Sequence, residues 1–172
     1  SIHEATGATV IIAFNAGNLE AVAEKVKADV IASDNDQWTT KPDGTPWNPG
    51  REKALSLGWK FNLKVAIPDF PDVETKPTDY NDLAQLEGIG AVKKQIGAAR
   101  HPEEILLEEC KQDIGAAFRP EHLTGLKKLR EKDLPAWETI RARLKGLKVG
   151  VTRLDKAIHT TMKDGSRVGG GI

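Results

Sequence analysis

Ala28-Asp29-Val30-Ile31-Ala32-Ser33-Asp34-Asn35-Asp36 runs a short apolar segment straight into two aspartates one residue apart. The β-branched residues predict a strand, and the aspartates fall where that strand ends and a loop begins. Two neighbouring carboxylates repel one another, so one reading of the pair is a divalent-cation site that offsets their charge. Magnesium is the candidate, because it takes oxygen ligands and joins one or two carboxylates to phosphate oxygens; manganese is its substitute. The plain alternative is a polar turn after a strand.

Working outward, Ala8 to Phe14 (ATVIIAF) is a second β-type run, and Asn15-Ala16-Gly17-Asn18 then breaks it and caps a helix predicted over Leu19 to Lys27. Asn48-Pro49-Gly50 opens a helix over Arg51 to Leu57, with proline near its first position, and a third strand is expected at Phe61 to Ile67, stopped by Pro68. Strands alternating with helices imply an α/β fold, a mostly parallel sheet flanked by helices. In such sheets ligands bind outside the carboxyl ends of the strands, where Asp34 and Asp36 lie. Further on, Thr78-Asp79-Tyr80-Asn81-Asp82-Leu83 leads into a helical pattern through Leu86, Ile89, Val92 and Ile96. Asp79 and Asp82 read either as helix caps or as additional carboxylates of the same site.

Taken together, the phrases HEATGATVIIAFNAGNLEAVA (3–23), VIASDND (30–36), NPGREKA (48–54) and DYNDL (79–83) resemble the Toprim domain of bacterial-type DNA primases. They are most similar to the primase-helicase proteins of plasmids, phages and integrated elements. The resemblance spans about 1–98. It implies a Toprim-like sheet and magnesium-dependent joining of ribonucleotides on single-stranded DNA. Asp34, Asp36 and Asp79 would be the catalytic carboxylates, with Asp82 beside them as a further metal ligand. Nucleoside triphosphates and a neighbouring helicase domain would be partners. One departure bears on mechanism: the family's glutamate at the end of a first strand has no good counterpart. Ser1 to Ala5 looks like the end of the helix that follows that strand, which makes Glu4 a poor substitute. The expectation is a fragment of a longer parent, inactive or crippled alone. Toprim domains also occur in nucleases and topoisomerases, so phosphodiester cleavage is an alternative, although Tyr80, inside the acidic loop, is badly placed as a nucleophile. A non-catalytic module binding nucleic acid or protein is the third reading.

The 172 residues suffice for one core and a small appended module, and 25 Lys and Arg balance 25 Asp and Glu, which removes any global basic signature for nucleic acid. One cysteine, Cys110, excludes an internal disulfide and a cysteine-built zinc site, fitting a cytoplasmic protein. No apolar stretch reaches membrane-spanning length, and no membrane partner is expected. From His101 helical patterns dominate, at Pro102 to Ala117, Pro120 to Arg130, Pro135 to Leu147 and Thr152 to Met162. A helical module or linker is expected over 99–166, and a flexible tail over 167–172. Arg141, Arg143, Lys145, Lys148 and Arg153 form a basic stretch, read as a solvated surface or a nucleic-acid contact. The histidines, His3, His101, His122 and His159, have no metal-ligand spacing.

Trp38 and Trp47 bracket the polar insert Thr39 to Pro46. A hairpin packed by its indoles is the ordinary account, and a wall of the active site on which a base stacks is the functional one. Arg51 and Lys53, on the first turn of a helix, are the phosphate-binding candidates. If one strand of the sheet is missing, its open edge needs cover from the C-terminal helices or from another copy of the chain.

Overall fold

The computed structural model describes residues 1–13 and 15–164, with Ala16 and 161–164 described by their backbone alone, so the tail expected over 167–172 lies outside the described residues. The chain is mixed α/β and rich in helix, and it divides into two compact units, Ser1–His101 and Pro102–Ile172.

The first unit is organised by one parallel strand pair. β1 (Val30–Ala32) lies beside β2 (Lys64–Ala66) with Val30 opposite Lys64, Ile31 opposite Val65 and Ala32 opposite Ala66. Parallel neighbours need a crossover, and α3 (Pro49–Phe61) supplies it, starting with Pro49 in its first turn and ending at Asn62 in the left-handed region, φ 56°. That terminus also explains why β2 is shorter than the strand expected over Phe61 to Ile67: Phe61 is still helical, and the turn through Asn62 precedes the strand. On its other side β2 is bridged antiparallel by Arg100 through a reciprocal pair of hydrogen bonds with Val65, 2.8 and 3.2 Å.

The strand expected over Ala8 to Phe14 is not formed among its described residues, and Val10, Ile11 and Ile12 are 41%, 51% and 67% exposed. A β-branched run states a capacity for pairing, but a strand exists only when a neighbour takes its backbone donors and acceptors. No such neighbour stands beside it among the described residues, so the sheet there has two strands in place of the three expected. The chain opens on a short helix, α1 (Ile2–Thr6), closed by Gly7 at φ 68°. It is followed by α2 (Ala16–Lys25), whose N-cap Asn15 accepts from the Asn18 N–H.

Below β2 the helical pattern through Leu83 and Ile96 splits into α4 (Tyr80–Glu87) and α5 (Ile89–Gly97), because Gly88 takes φ 83° between them. Ala5, Ala66, Phe70, Tyr80, Leu83 and Val92 form the buried cluster that α1, α4 and α5 close over the end of β2.

The second unit is helical: α6 (Pro102–Gln112), a 3-10 turn (Ile114–Phe118), α7 (Pro120–Lys132), α8 (Leu134–Gly146) and α9 (Val151–Asp164). The helix expected as far as Ala117 stops at Gln112 because Asp113 caps the next turn, accepting from the Gly115 N–H at 2.8 Å. Trp137, Leu106, Leu126, Leu144, Leu154 and Ile158 are fully buried. No helix among the described residues is long and apolar enough to cross a membrane.

Candidate functional site

The side chains of β1 alternate, and so do those just beyond it: Ile31 and Ser33 are buried while Ala32 and Asp34 face outward. The Ser33 N–H donates to the Ala66 carbonyl at 3.1 Å, carrying the parallel register one residue past β1 and fixing where Asp34 begins. Asn35 then ties the loop in two directions. Its N–H donates to the Thr78 carbonyl at 2.7 Å and its side-chain amide to the Pro68 carbonyl at 2.8 Å, so the Asp34–Asp36 loop is fastened to the chain leaving β2 and to the chain entering α4.

Asn48 is the third fastening. As N-cap of α3 its Oδ1 accepts from Arg51 N–H at 3.2 Å and also from Asp36 N–H at 2.9 Å, while its Nδ2 donates to Asn35 Oδ1 at 2.7 Å. Asp36 in turn accepts the Gly50 N–H at 3.0 Å, which puts a carboxylate on the positive end of α3. That approach requires glycine at position 50: a Cβ there would stand 2.6 Å from the Asp34 carbonyl oxygen and 2.9 Å from Asp36 Oδ2.

The second acidic segment has a different local cause. Asp79 is the N-cap of α4, its Oδ1 accepting from Asn81 N–H at 2.7 Å and Asp82 N–H at 2.8 Å. Asp82 completes a capping box, its Oδ2 accepting from Asp79 N–H at 3.3 Å and from Thr78 N–H at 2.8 Å. Both aspartates therefore act as caps, and the Asn35–Thr78 bond holds them beside the end of β1.

Asp34 feels the other three carboxylates. Asp34 is pushed above the ordinary aspartate range, first by partial burial and then by the negative charges of Asp36, Asp79 and Asp82. It is also the member of the four whose carboxylate has no hydrogen bond from the described chain. The donors are all oxygen, the type magnesium takes, and among the described residues no group of three or more acidic, histidine or cysteine side chains is placed to hold a metal ion.

The cations predicted for phosphate sit on the first turns of α3 but differ in their surroundings. Lys53 is paired with Glu20 of α2 at 2.5 Å, and Lys60 joins Glu20 and Glu24 at 2.9 Å, which holds the Glu20 carboxyl down to about 2. The backbone donors at the start of α3 are already engaged, Gly50 N–H by Asp36 and Arg51 N–H by Asn48.

The insert between the tryptophans is a small hairpin, with Thr40 bridged to Pro46 and Trp47 N–H donating to the Thr39 carbonyl at 2.9 Å. Trp38 Nε1 donates to the Pro77 carbonyl at 3.1 Å, and Trp47 Nε1 to Glu52 Oε2 at 2.9 Å. Tyr80 is buried, and burial drives its hydroxyl well above the usual range, so forming a phenolate nucleophile there is unfavourable. Of the residues above, Asn35 and Gly50 are those whose site role the motif reading missed, and it took Asn48 only for a helix start. A local signal existed, since an asparagine cap followed by Pro-Gly marks a helix end that another chain segment can approach closely.

In the second unit His122 is fully buried with Nε2 3.1 Å from Glu109, and the His159 ring nitrogen lies 2.9 Å from the Arg130 guanidinium. Arg141 is committed to Asp155, 2.8 Å, whereas Lys145, Lys148 and Arg153 are exposed around the turn from α8 to α9, with Lys148 at φ 67°.

No family model matches the chain, and no solved structure matches it. Over an alignment of 85 positions that covers 45% of the chain, it is 38% identical to a DNA primase, TraC, of Escherichia coli. The match covers 6% of that protein's length, so the chain corresponds to a small part of it. The chain thus contains a region related to part of a DNA primase.

Proposed function

We propose that the first unit is a Toprim-type metal and nucleotide site of a primase, serving magnesium-dependent nucleotidyl transfer that lays RNA primers on single-stranded DNA. The observation that carries this reading is the gathering of Asp34, Asp36, Asp79 and Asp82 at the carboxyl end of a parallel strand pair, with Asp34 unengaged and its ionisation opposed by the other three. A local excess of negative charge is what a bound divalent cation relieves, and magnesium held that way can also take phosphate oxygens. The relation to a primase supplies the reaction class.

In this reading Asp34 is the principal ligand of magnesium or manganese, Asp36 orients it from the α3 terminus, and Asp79 and Asp82 add negative potential and outer contacts. A cation bound there neutralises triphosphate charge and orients the phosphoryl group for attack. Arg51 contacts phosphate, and Lys53 is a weaker candidate because Glu20 holds it. Single-stranded DNA, nucleoside triphosphates and a neighbouring helicase domain are the proposed partners.

The test is ribonucleotide incorporation on a single-stranded template by a protein that contains this chain. Alanine at both Asp34 and Asp36 should abolish synthesis while leaving the fold intact by circular dichroism. Primer synthesis at the normal rate would overturn the assignment. Nicking of the template with no synthesis by the unmodified protein would transfer the same site to phosphodiester cleavage.

A further inference from the structure

Trp38 and Trp47 are matched in exposure, 40% and 39%, yet their indoles are tied to different places. The Trp47 N–H is bonded to Glu52, on α3 itself. The Trp38 N–H is bonded to the Pro77 carbonyl, and Pro77 is buried two residues before Asp79, while Trp38 itself is two residues after Asp36. One indole therefore spans the two loops that carry the four carboxylates. Two residues of chain reach at most about 7 Å, so its ring sits within a nucleotide's length of both acidic pairs.

The indole is also held in place. Thr39 N–H donates to the Asp36 carbonyl at 3.0 Å, and the hairpin that follows closes through Lys41 N–H to the Thr45 carbonyl and Gly44 N–H to the Lys41 carbonyl, both 2.9 Å. With its polar edge satisfied by Pro77, what Trp38 presents to solvent is aromatic surface, fixed at low entropic cost. Aromatic surface beside a phosphate site is the chemistry that recognises a nucleobase, and it does so with little preference among bases because each has a π face.

We propose that Trp38 is the nucleobase platform of this site, stacking on the base of a nucleotide whose phosphates are held at Asp34 through magnesium. This rests on the metal and nucleotide reading given above and adds the part of the substrate that reading leaves unplaced. The base belongs either to a free nucleotide or to a single strand.

Calorimetric titration of the 172-residue chain in magnesium tests it with four probes: ATP, UTP, base-free tripolyphosphate and an oligothymidylate. Trp38→Ala should weaken ATP and UTP, or the oligonucleotide, by roughly tenfold and leave tripolyphosphate unchanged. Loss on the mononucleotides assigns the ring to the incoming nucleotide, and loss confined to the oligonucleotide assigns it to the template. Trp38→Phe keeps a stacking ring and removes the bond to Pro77, so it should stay within about threefold of the unmodified chain. Trp47→Ala should match the unmodified chain. Equal binding by Trp38→Ala, or a Trp38→Phe as weak as Trp38→Ala, would overturn the platform alone. If the unmodified chain fails to bind tripolyphosphate with magnesium, the metal and nucleotide reading falls, and the platform with it.

Discussion

The two acidic segments of the first unit look alike as sequence, Asp34-Asn35-Asp36 and Asp79-Tyr80-Asn81-Asp82, and the structure makes them chemically different. In the second, both aspartates accept backbone N–H groups and start α4. In the first, only Asp36 reaches a helix terminus, and it reaches that of another element, α3, across the close contact at Gly50. Asp34 is left with neighbours that repel it. A carboxylate's availability to a ligand is thus decided by which backbone donors lie within reach, and those donors are set by the fold more than by the motif.

Gly50→Ala is the sharpest way to break this arrangement. The added methyl meets backbone at 2.6 Å, and backbone cannot yield as a side-chain tip can, so the β1 loop and α3 must part. The cost should be about 1–3 kcal/mol, read as a lowered denaturation midpoint at unchanged slope, together with loss of magnesium binding. Gly90→Ala is the control, since a Cβ in that helical position meets nothing within 4 Å. It should be neutral or stabilising by up to about 1 kcal/mol. A Gly50→Ala chain as stable as Gly90→Ala would show that the two loops are not locked together as described.

Exchanging the roles of the two acidic segments gives a smaller effect. Asp79→Ala removes a cap and should destabilise by about 1 kcal/mol, with Asp79→Ser restoring most of it. Asp34→Asn removes no hydrogen bond and relieves repulsion, so it should leave thermal stability equal or slightly raised while abolishing the stabilisation that magnesium confers. If Asp34→Asn destabilised as much as Asp79→Ala, the contrast between cap and unengaged carboxylate would be wrong.

These contrasts show what was legible in the chain and what was not. The strand before Asp34, the α3 start at Pro49 and the capping potential of Asp79 and Asp82 are local features, written in β-branched residues, proline and short polar side chains. The fate of Ala8 to Ala13 was not legible, because an apolar β-branched run does not name its partner, and no strand pairs with it among the described residues. The split at Gly88 is not written in the apolar periodicity, since a glycine inside a helical pattern can be tolerated without breaking it. The fastening of Asn35 to Thr78 and Pro68, and of Asn48 to Asp36, joins residues 12 to 43 positions apart, and only the folded crossover brings them together. The same holds for the indole of Trp38, whose partner Pro77 is 39 residues away.

The smallest effect separates Asp34 from an acid in the opposite environment, Glu20. Lys53 and Lys60 hold the Glu20 carboxyl at about 2, below its ordinary 4.5, so the folded chain binds this proton less tightly than the unfolded chain does. Its contribution to stability is therefore present above about pH 4.5 and is lost as pH falls toward 2. Asp34 has the reverse sign. Raised above 3.8, it holds its proton more tightly when folded, so stability declines as pH climbs from 3.8 through its raised value and is not regained above it. Glu20→Gln should flatten the acid limb of a stability–pH curve, and Asp34→Asn the limb just above it. Because the Glu20 pairs are solvent-exposed, salt should shrink the first effect, whereas magnesium should cancel the second by favouring the ionised carboxylate. Urea midpoints measured from pH 2.5 to 7, with and without magnesium, separate the two. A magnesium response that survives in Asp34→Asn and disappears in Glu20→Gln would place the cation on α2 and α3 instead of at the end of β1.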